Sequence, residues 1–301
     1  MTQRRNEIML SVIVPCFNAE GTICRCVESL ISQADEATEL IFIDDGSTDG
    51  TAAIIREMAP DAVVIIHEAN LGTAEASTSG FKAAHGKYVV RCDADDYFGP
   101  NVINSIMQAI GDEPDVIEFG MTTVKGGKTV DEMPTESPDI NQRPLSTVNF
   151  SLCNRAIRRE PILNSLPFPS LNCWEDLSVV ARIMPAARKV VRIPDTYYIY
   201  VRPDDATTLS VTDNATILHD RLGVAARLDE YFVAKGQAEQ FRPFLDRMKF
   251  SAKARYMAAG IRDRKAWKST FPEINNRIMK ITHIPFHHRL IFAAINFFTT
   301  T

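Results

Sequence analysis

The first 120 residues alternate between short apolar runs and segments with helical spacing, and this alternation restricts the fold more than any other feature. The apolar runs predict strands over 9–15, 39–45, 62–68, 86–93 and 115–120, and the first two are typical of buried strands. The intervening segments place apolar residues three or four positions apart, which predicts helices over 20–33, 49–58, 73–85 and 101–110. This order predicts βαβ units, a mainly parallel twisted sheet flanked by helices, and therefore an α/β fold.

The pattern changes in the second half of the chain. The later segments are a loop or hairpin over 125–146, a sixth strand over 148–154, a helix over 174–184, and short strands over 189–193 and 196–201. From residue 213 onward the spacing is helical throughout. We therefore expect an α/β domain over 1–212 and a helical region over 213–301.

Acidic residues follow two of the predicted strands. Asp44 and Asp45 end the second strand, and the sequence Asp93-Ala94-Asp95-Asp96 ends the fourth. Ligands of parallel sheets bind at the carboxyl ends of the strands, and carboxylate oxygens suit Mg²⁺ or Mn²⁺. The alternative is a capped turn, because two aspartates separated by one residue are a weak signal alone; Asp96 fits that supporting role.

Four segments together resemble family 2 glycosyltransferases of the GT-A fold. They are SVIVPCFNAE (11–20), IDDGSTDGT (43–51), NLGTAEASTSGFKAAHGKYVVRCDADD (70–96) and CWEDL (173–177). Their order and spacing make the resemblance specific, and it covers roughly the first 215 residues. It divides the α/β domain into a nucleotide-binding half of about 1–98 and an acceptor half of about 99–212.

The resemblance implies a role for each matched residue. In the nucleotide-binding half, the residues implied to contact the donor are Pro15, Phe17, Asn18, Glu20, Asp45 and Asp93. Asp95, with Asp93, matches the metal ligands, so the expected cofactor is Mn²⁺ or Mg²⁺. Asp176 matches the catalytic base, Trp174 and Glu175 lie where the acceptor binds, and Arg202 is expected near the diphosphate.

The function implied is an inverting, metal-dependent transfer of a sugar from a nucleotide diphosphate donor, by resemblance a UDP-sugar. The acceptor would be a hydroxyl of a glycan or lipid-linked molecule, in the synthesis of a bacterial surface polysaccharide. The expected partners are the donor and the acceptor, without nucleic acid. A nucleotide-dependent dehydrogenase is the less favoured enzyme class, because the first strand is followed by PCFNAEG and not by G-x-G-x-x-G.

One position departs from the family pattern. Ser77 and Thr78 stand where the family commonly has Arg-Asn, so positive charge for the diphosphate is missing there. Lys82 or Arg91 could replace it. The departure keeps open a second function, that of a catalytically weak protein that binds sugar nucleotides as a scaffold.

Charge and cysteine content bear on location. Residues 241–301 hold 12 lysines or arginines against 3 acidic residues, although the whole chain has a net charge of −5. A basic helical region fits an anionic membrane surface, ordinary packing or a homodimer contact about equally. The six cysteines form no C-x-x-C pair and are expected to be reduced thiols. We expect a cytoplasmic protein, with peripheral contact to the inner face of the cell membrane as one possibility.

Overall fold

The computed structural model describes residues 7–134, 150–166, 168, 174–202, 215–258, 264–281 and 286–297. Among these residues the chain divides into two compact units. The first holds the described residues up to Arg202 except Trp174, and the second holds Trp174 and the described residues from Ala215 onward.

Four parallel strands form the first half of the sheet, as predicted. They are β1 (Leu10–Cys16), β2 (Thr38–Asp44), β3 (Val63–Ile66) and β4 (Tyr88–Arg91), in the spatial order β3-β2-β1-β4. The helices between them are α1 (Ile23–Ile31), α2 (Thr51–Met58) and α3 (Thr73–Ala83). Because the strands are parallel, their carboxyl ends meet at one edge of the sheet.

The second half of the sheet is mixed. Its elements are β5 (Tyr97–Phe98), α4 (Val102–Ile110), β6 (Val116–Lys125), β7 (Lys128–Glu132), β8 (Arg155–Arg158), α5 (Arg159–Leu163), α6 (Glu175–Ile183) and β9 (Val190–Arg202). Strand β8 joins the two halves, since it pairs antiparallel with both β4 and β6. Strand β9 runs parallel to β6 and antiparallel to β5. The segment that precedes β8 is therefore delivered to the carboxyl end of β4.

Two local predictions were wrong. The sixth strand was expected over 148–154, but 150–154 is not a strand and β8 begins only at Arg155. The two short strands expected over 189–193 and 196–201 form one strand, β9, with a register shift opposite Glu118 and Gly120. The hairpin expected within 125–146 is present as β6 and β7, although residues 135–149 lie outside the described ones.

The core lies on both faces of the sheet. Residues of β1 and β2 such as Val12, Val14 and Phe42 are fully buried. Helix α3 approaches the sheet at Gly80, where an added Cβ would lie 2.4 Å from Ile13 Cγ2. A side chain at position 80 would therefore push the helix away from the strands.

The second unit is helical, as expected. Its helices are α7 (Ala215–Ala234), α8 (Arg242–Ala258), α9 (Arg264–Ser269), α10 (Pro272–Asn275) and α11 (Phe286–Phe297). Several of its basic residues are internal: Lys249 is 3% exposed and pairs with Asp229 and Glu273, and Lys253 is 1% exposed above the Trp267 ring. Much of the positive charge seen in the sequence therefore stabilises the packing of this unit.

Two further points concern membrane spans and the domain boundary. No helix among the described residues is long and apolar enough to cross a membrane. The domain boundary expected after residue 212 lies outside the described residues and stays a prediction.

Candidate active site

The DADD turn follows directly from β4, at the carboxyl edge of the parallel strands. Asp93 is two residues beyond the end of β4, and the turn closes with a hydrogen bond from the Asp96 N–H to the Asp93 carbonyl (3.0 Å). Arg25, on α1, donates to the Asp95 carbonyl at 2.7 Å and stacks on Tyr97. The turn is thus held from the sheet and from the neighbouring helix.

Arg91, the last residue of β4, is the centre of the site. Its guanidinium is 5% exposed and pairs with Asp93 (Nε to Oδ1, 2.7 Å), Asp176 (NH1 to Oδ1, 2.8 Å) and Glu175 (NH1 to Oε1, 3.5 Å). Burial lowers the pKa of Arg91, but the three carboxylates outweigh it and raise the pKa above its usual value. A permanently charged side chain therefore joins the DADD turn to the start of α6.

Asp176, the second residue of α6, faces Arg91 with one oxygen. Its other oxygen accepts the Leu152 N–H at 3.1 Å, in the segment that precedes β8. Burial raises the pKa of Asp176, while the charge of Arg91 acts in the opposite direction; the net shift is upward. The charge of Arg91 and the N-terminus of α6 favour the ionised form of Asp176, whereas burial favours the protonated form.

Glu175 lies beside Asp176 and shares the same guanidinium. Burial, and then the charge of Asp176, raises the pKa of Glu175 to about 7, against the lowering effect of Arg91. Two adjacent carboxyl groups with one nearby cation therefore hold one proton more readily than a solvent-exposed pair.

Asp96 supports the turn, as expected from the sequence. It is 1% exposed, accepts the Tyr198 hydroxyl at 2.5 Å and the Val201 N–H at 2.7 Å, and so ties β9 to the DADD turn. Burial, followed by the charges of Asp93 and Asp95, raises the pKa of Asp96 to about 8. It is not available as a ligand.

Asp93 and Asp95 differ in the contacts that their side chains make. The Asp93 carboxylate accepts the Arg91 Nε–H and the Cys153 thiol (3.2 Å). The Asp95 side chain is exposed and makes no hydrogen bond or ion pair with any other residue that the structure describes. Across the same residues, no group of three or more His, Cys, Asp and Glu side chains is arranged to hold a metal ion. One exposed carboxylate with a second beside it still fits Mg²⁺ or Mn²⁺, which keep waters and take phosphate oxygens as ligands.

The loop after β1 is tied to the loop after β2. Asn18, which has a positive φ of 46°, donates its N–H to Ser47 Oγ and accepts the Thr48 N–H, both at 2.9 Å. Glu20 accepts the Gly50 N–H at 2.6 Å. The predicted donor residues Asn18 and Glu20 therefore fix this edge of the sheet, while Phe17 is 46% exposed beside them and Pro15 is buried within β1.

Asp45, the predicted contact of the donor base, is 3% exposed and makes several hydrogen bonds. It accepts His67 Nδ1 at 2.7 Å and the N–H groups of Leu71 and Gly72 at 3.0 and 2.8 Å. The other ring nitrogen of His67 lies 3.0 Å from Ser79 Oγ. Asp45 therefore holds the segment between β3 and α3 against the end of β2.

Ser77 and Thr78, at the departure from the family pattern, are both fully buried in α3. Thr78 Oγ1 accepts the Phe168 N–H at 3.2 Å, and Phe168 packs on Phe81 with a ring separation of 5.4 Å. Of the two cations considered as substitutes, Arg91 is paired with carboxylates, whereas Lys82 is exposed. Because Arg91 is buried and paired, it does not replace the missing positive charge beside a diphosphate.

Two predicted residues remain, Arg202 and Trp174. Arg202 ends β9, and its guanidinium lies 5.3 Å from the centroid of the Tyr200 ring. Trp174 groups with the helical unit, where the Arg221 guanidinium lies 5.0 Å from its ring. It has a positive φ of 66° directly before α6.

Sequence reasoning missed three residues of this site. It considered Arg91 only as a substitute for a missing phosphate contact and gave Tyr198 and Cys153 no role in the site. A basic residue two positions before the first aspartate, inside an otherwise apolar strand, was the available signal for Arg91. Cys153 and Tyr198 carry no comparable signal, since their contacts span 60 and 105 positions of the chain.

Comparison with known proteins bears on the family of the chain. A family model described as glycosyl transferase family 2 matches residues 11–166. The uncharacterized glycosyltransferase YibD of Escherichia coli K12 is 38% identical over 132 residues, which are 42% of this chain and 38% of YibD. An Escherichia coli UDP-Glc:alpha-D-GlcNAc-diphosphoundecaprenol beta-1,3-glucosyltransferase, WfaP, is 25% identical over 63% of this chain and 76% of its own length. The chain thus spans less than half of YibD and about three quarters of WfaP.

Solved structures agree with the predicted GT-A fold. TarS of S. aureus (residues 1–349), in complex with UDP-GlcNAc, has a TM-score of 0.65 at 18% identity, and the match covers 96% of this chain and 89% of that 1–349 chain. The mannosyltransferase PcManGT of Pyrobaculum calidifontis, in complex with GDP-Man and Mn²⁺, has a TM-score of 0.54 at 18% identity and covers 97% and 88%. The fold class predicted from the sequence is confirmed.

Proposed function

The chain belongs to glycosyl transferase family 2, and from this premise we propose that it transfers a sugar from a nucleotide diphosphate to an acceptor hydroxyl with inversion. The observation that carries the proposal is the convergence of Asp93 and Asp176 on the Arg91 guanidinium. Asp93, the carboxylate proposed to lie near the phosphates, and Asp176, the proposed base, are thereby held beside one buried guanidinium. We propose a UDP-sugar as donor, because WfaP is named for UDP-Glc and TarS was solved with UDP-GlcNAc.

Asp176 is the proposed general base. A carboxylate cannot deprotonate a free sugar hydroxyl in advance, so it accepts the proton as the new glycosidic bond forms. Burial raises the pKa of Asp176, which makes it a stronger base than an exposed aspartate, while the charge of Arg91 acts in the opposite direction. A single displacement by the acceptor oxygen, on the face opposite the departing nucleotide, inverts the anomeric carbon and requires no covalent intermediate on the protein.

Asp95, with Asp93 beside it, would hold a divalent cation, Mn²⁺ or Mg²⁺. The exposed carboxylate of Asp95 supports this assignment. Such a cation would offset the negative charge that gathers on the departing diphosphate. Donor phosphates and water would complete its coordination.

The remaining assignments follow the fold. We place the donor at the edge formed by Pro15, Phe17, Asn18, Glu20 and Asp45, in the nucleotide-binding half up to about residue 98. Arg202 would lie on the diphosphate side. Glu175 and Trp174 would contact the acceptor, in the half from about 99 to 212.

Arg91 is a positioning residue in this scheme. It contacts no part of the substrate and acts by fixing the orientation of Asp93 and Asp176 relative to each other. The three ion pairs at 2.7–3.5 Å and the 5% exposure support that role.

We further propose that the acceptor is a glycan or a lipid-linked glycan used in surface polysaccharide synthesis, and that the protein acts in the cytoplasm without a nucleic-acid partner. The diphosphoundecaprenol acceptor in the name of WfaP supports a lipid-linked acceptor. The five described cysteines are all free thiols, as in proteins of a reducing compartment.

A ligand panel tests the proposal. The melting temperature of the protein is measured with UDP-, GDP- and dTDP-sugars, each with and without Mn²⁺. We expect a rise with one UDP-sugar that requires the metal and that Asp95→Asn abolishes. Asp61→Asn, which changes an exposed aspartate after α2, is the matched control and should leave the shift intact.

Turnover is then measured as release of UDP with the donor identified by the panel. Asp176→Asn should lower kcat by about 10²–10⁴-fold while the donor-induced melting shift persists. Wild-type turnover in Asp176→Asn would refute the base assignment. Donor binding by the wild-type protein, without turnover on any acceptor offered, would favour the scaffold function instead.

A further inference from the structure

Helix α11 buries one side and exposes the other. Phe292 is 9% exposed and packs on Trp267 and Phe250, with ring separations of 6.1 and 4.8 Å. On the outer side lies an apolar strip that consists of Phe286, Leu290 and Ile291, which are 58%, 47% and 52% exposed. Residues 286 and 290 are one turn apart, so the strip is continuous along the helix.

Positive charge surrounds the apolar strip. The Arg289 guanidinium lies 5.4 Å from the centroid of the Phe286 ring and donates to the Met279 carbonyl at 2.9 Å. Lys280 is exposed, and Met279 beside it is 41% exposed. The sequence contains no aspartate or glutamate after Glu273. The strip is therefore an apolar surface with basic residues around it and no acidic side chain within its own part of the sequence.

We propose that the apolar strip docks on an anionic lipid surface. Its three large side chains would enter the boundary between headgroups and acyl chains, and Arg289 and Lys280 would meet the lipid phosphates. Arginine and lysine can lay their apolar stems along such a boundary while the charge stays at the headgroups. Helix α11 has 12 residues and would lie in the plane of the membrane, since it is too short to cross it.

The positive charge beside the apolar strip favours a lipid surface over a second copy of the chain as the docking partner. A twofold contact through the strip would bring Arg289 and Lys280 of both copies to the same interface. Because the sequence after Glu273 holds no Asp or Glu to offset them, these like charges would repel each other. An anionic bilayer supplies the opposite charge, and this proposal is independent of the glycosyl transfer proposed above.

Vesicle sedimentation tests the docking. The full-length protein is mixed with vesicles of phosphatidylcholine alone or of phosphatidylcholine with phosphatidylglycerol, at low and high salt. We expect binding to the anionic vesicles, little binding to the neutral ones, and weaker binding at high salt. The double variant Leu290→Glu/Ile291→Glu should bind at least about tenfold more weakly, since two buried apolar contacts are lost.

A matched control lies on α7 of the same unit. Val233 is 58% exposed, so Val233→Glu introduces one of the double variant's two added charges at an equally exposed apolar position outside the strip. It should bind within about twofold of the wild type, allowing for one added charge on the protein. Melting temperatures of all variants should match that of the wild type, because the changed side chains are exposed.

Three results would overturn the proposal. The first is wild-type binding that is no stronger with phosphatidylglycerol than without it. The second is an equal loss in Val233→Glu and in the double variant. The third is a dimer, measured by light scattering, that the double variant converts to a monomer. UDP release with a water-soluble acceptor should be unchanged in the double variant, so failure here leaves the proposed transfer untouched.

Discussion

Replacing Arg91 with methionine tests the electrostatic centre of the site. Methionine keeps the apolar stem but removes the charge, and leaves Asp93, Glu175 and Asp176 without their common cation. Removing one partner of a buried ion pair costs about 3–5 kcal/mol. Because Arg91 is 5% exposed and serves three carboxylates, we expect a loss of unfolding free energy at the upper end of that range at pH 8.

The loss of unfolding free energy in Arg91→Met should be smaller at low pH than at high pH. Without Arg91 the carboxylates can escape repulsion only by taking up protons, and Glu175 already has a pKa of about 7. At pH 5.5 they do so more readily, and each unit of pKa shift is worth about 1.4 kcal/mol. The destabilisation should therefore be smaller by about 1–2 kcal/mol at pH 5.5 than at pH 8.

The difference in unfolding free energy between wild type and Arg91→Met is measured at the two pH values by urea unfolding followed by circular dichroism. The control is Arg158→Met, which removes a partly exposed arginine that lies 3.4 Å from Asp115. The pKa of Asp115 is lowered, so this carboxylate stays ionised at both pH values and the control cost should not change with pH. A cost for Arg91→Met below about 1 kcal/mol at pH 8, or one that is equal at both pH values, would refute the reasoning.

Four further substitutions are tested by urea unfolding. The folded-state pKa of Glu175 lies above its usual 4.5, so its contribution to the free energy of unfolding is fully present below pH 4.5 and is lost as the pH rises through about 7. Glu175→Gln should therefore remove a fall of about 3 kcal/mol in the free energy of unfolding over this pH interval. An unchanged dependence of that free energy on pH would contradict this. Tyr198→Phe leaves a buried carboxyl without its hydroxyl donor and should cost about 1–3 kcal/mol, whereas a neutral effect would show that this contact is dispensable. Gly80→Ala would place a Cβ 2.4 Å from Ile13 Cγ2 and should cost about 1–3 kcal/mol. By contrast, Gly223→Ala meets no atom within 4 Å apart from its chain neighbours and the backbone of its own helix, and should stabilise α7 by about 0.5–1 kcal/mol.

The parallel half of the sheet could be predicted because its signals are local. Each strand contains a short apolar run, although β3 is partly exposed, and each helix carries its own spacing, so β1 to β4 and α1 to α3 follow from short windows of sequence. The position of the DADD turn at the end of β4, and the supporting role of Asp96, follow from the same reasoning. Order along the chain then places Asp45 and Asp93 at one edge.

The centre of the site could not be predicted, because its contacts join distant parts of the chain. Arg91 and Asp176 are 85 positions apart, and nothing near either residue in sequence specifies the other. Strand β9 was divided in two because Pro194 and Asp195 resemble a turn. The structure accommodates them in one strand, with Asp195 at a φ of 52° where the register shifts.

The hydrogen bonds that join the loops after β1 and β2 bear on the entropy of binding. Asn18 and Glu20 hold the backbone of Thr48 and Gly50 before any ligand arrives. Ordering one residue of a loose loop costs about 1–2 kcal/mol, and binding energy would have to supply that amount for every residue ordered. Since this edge is already rigid, a ligand that enters it keeps more of its contact energy as affinity.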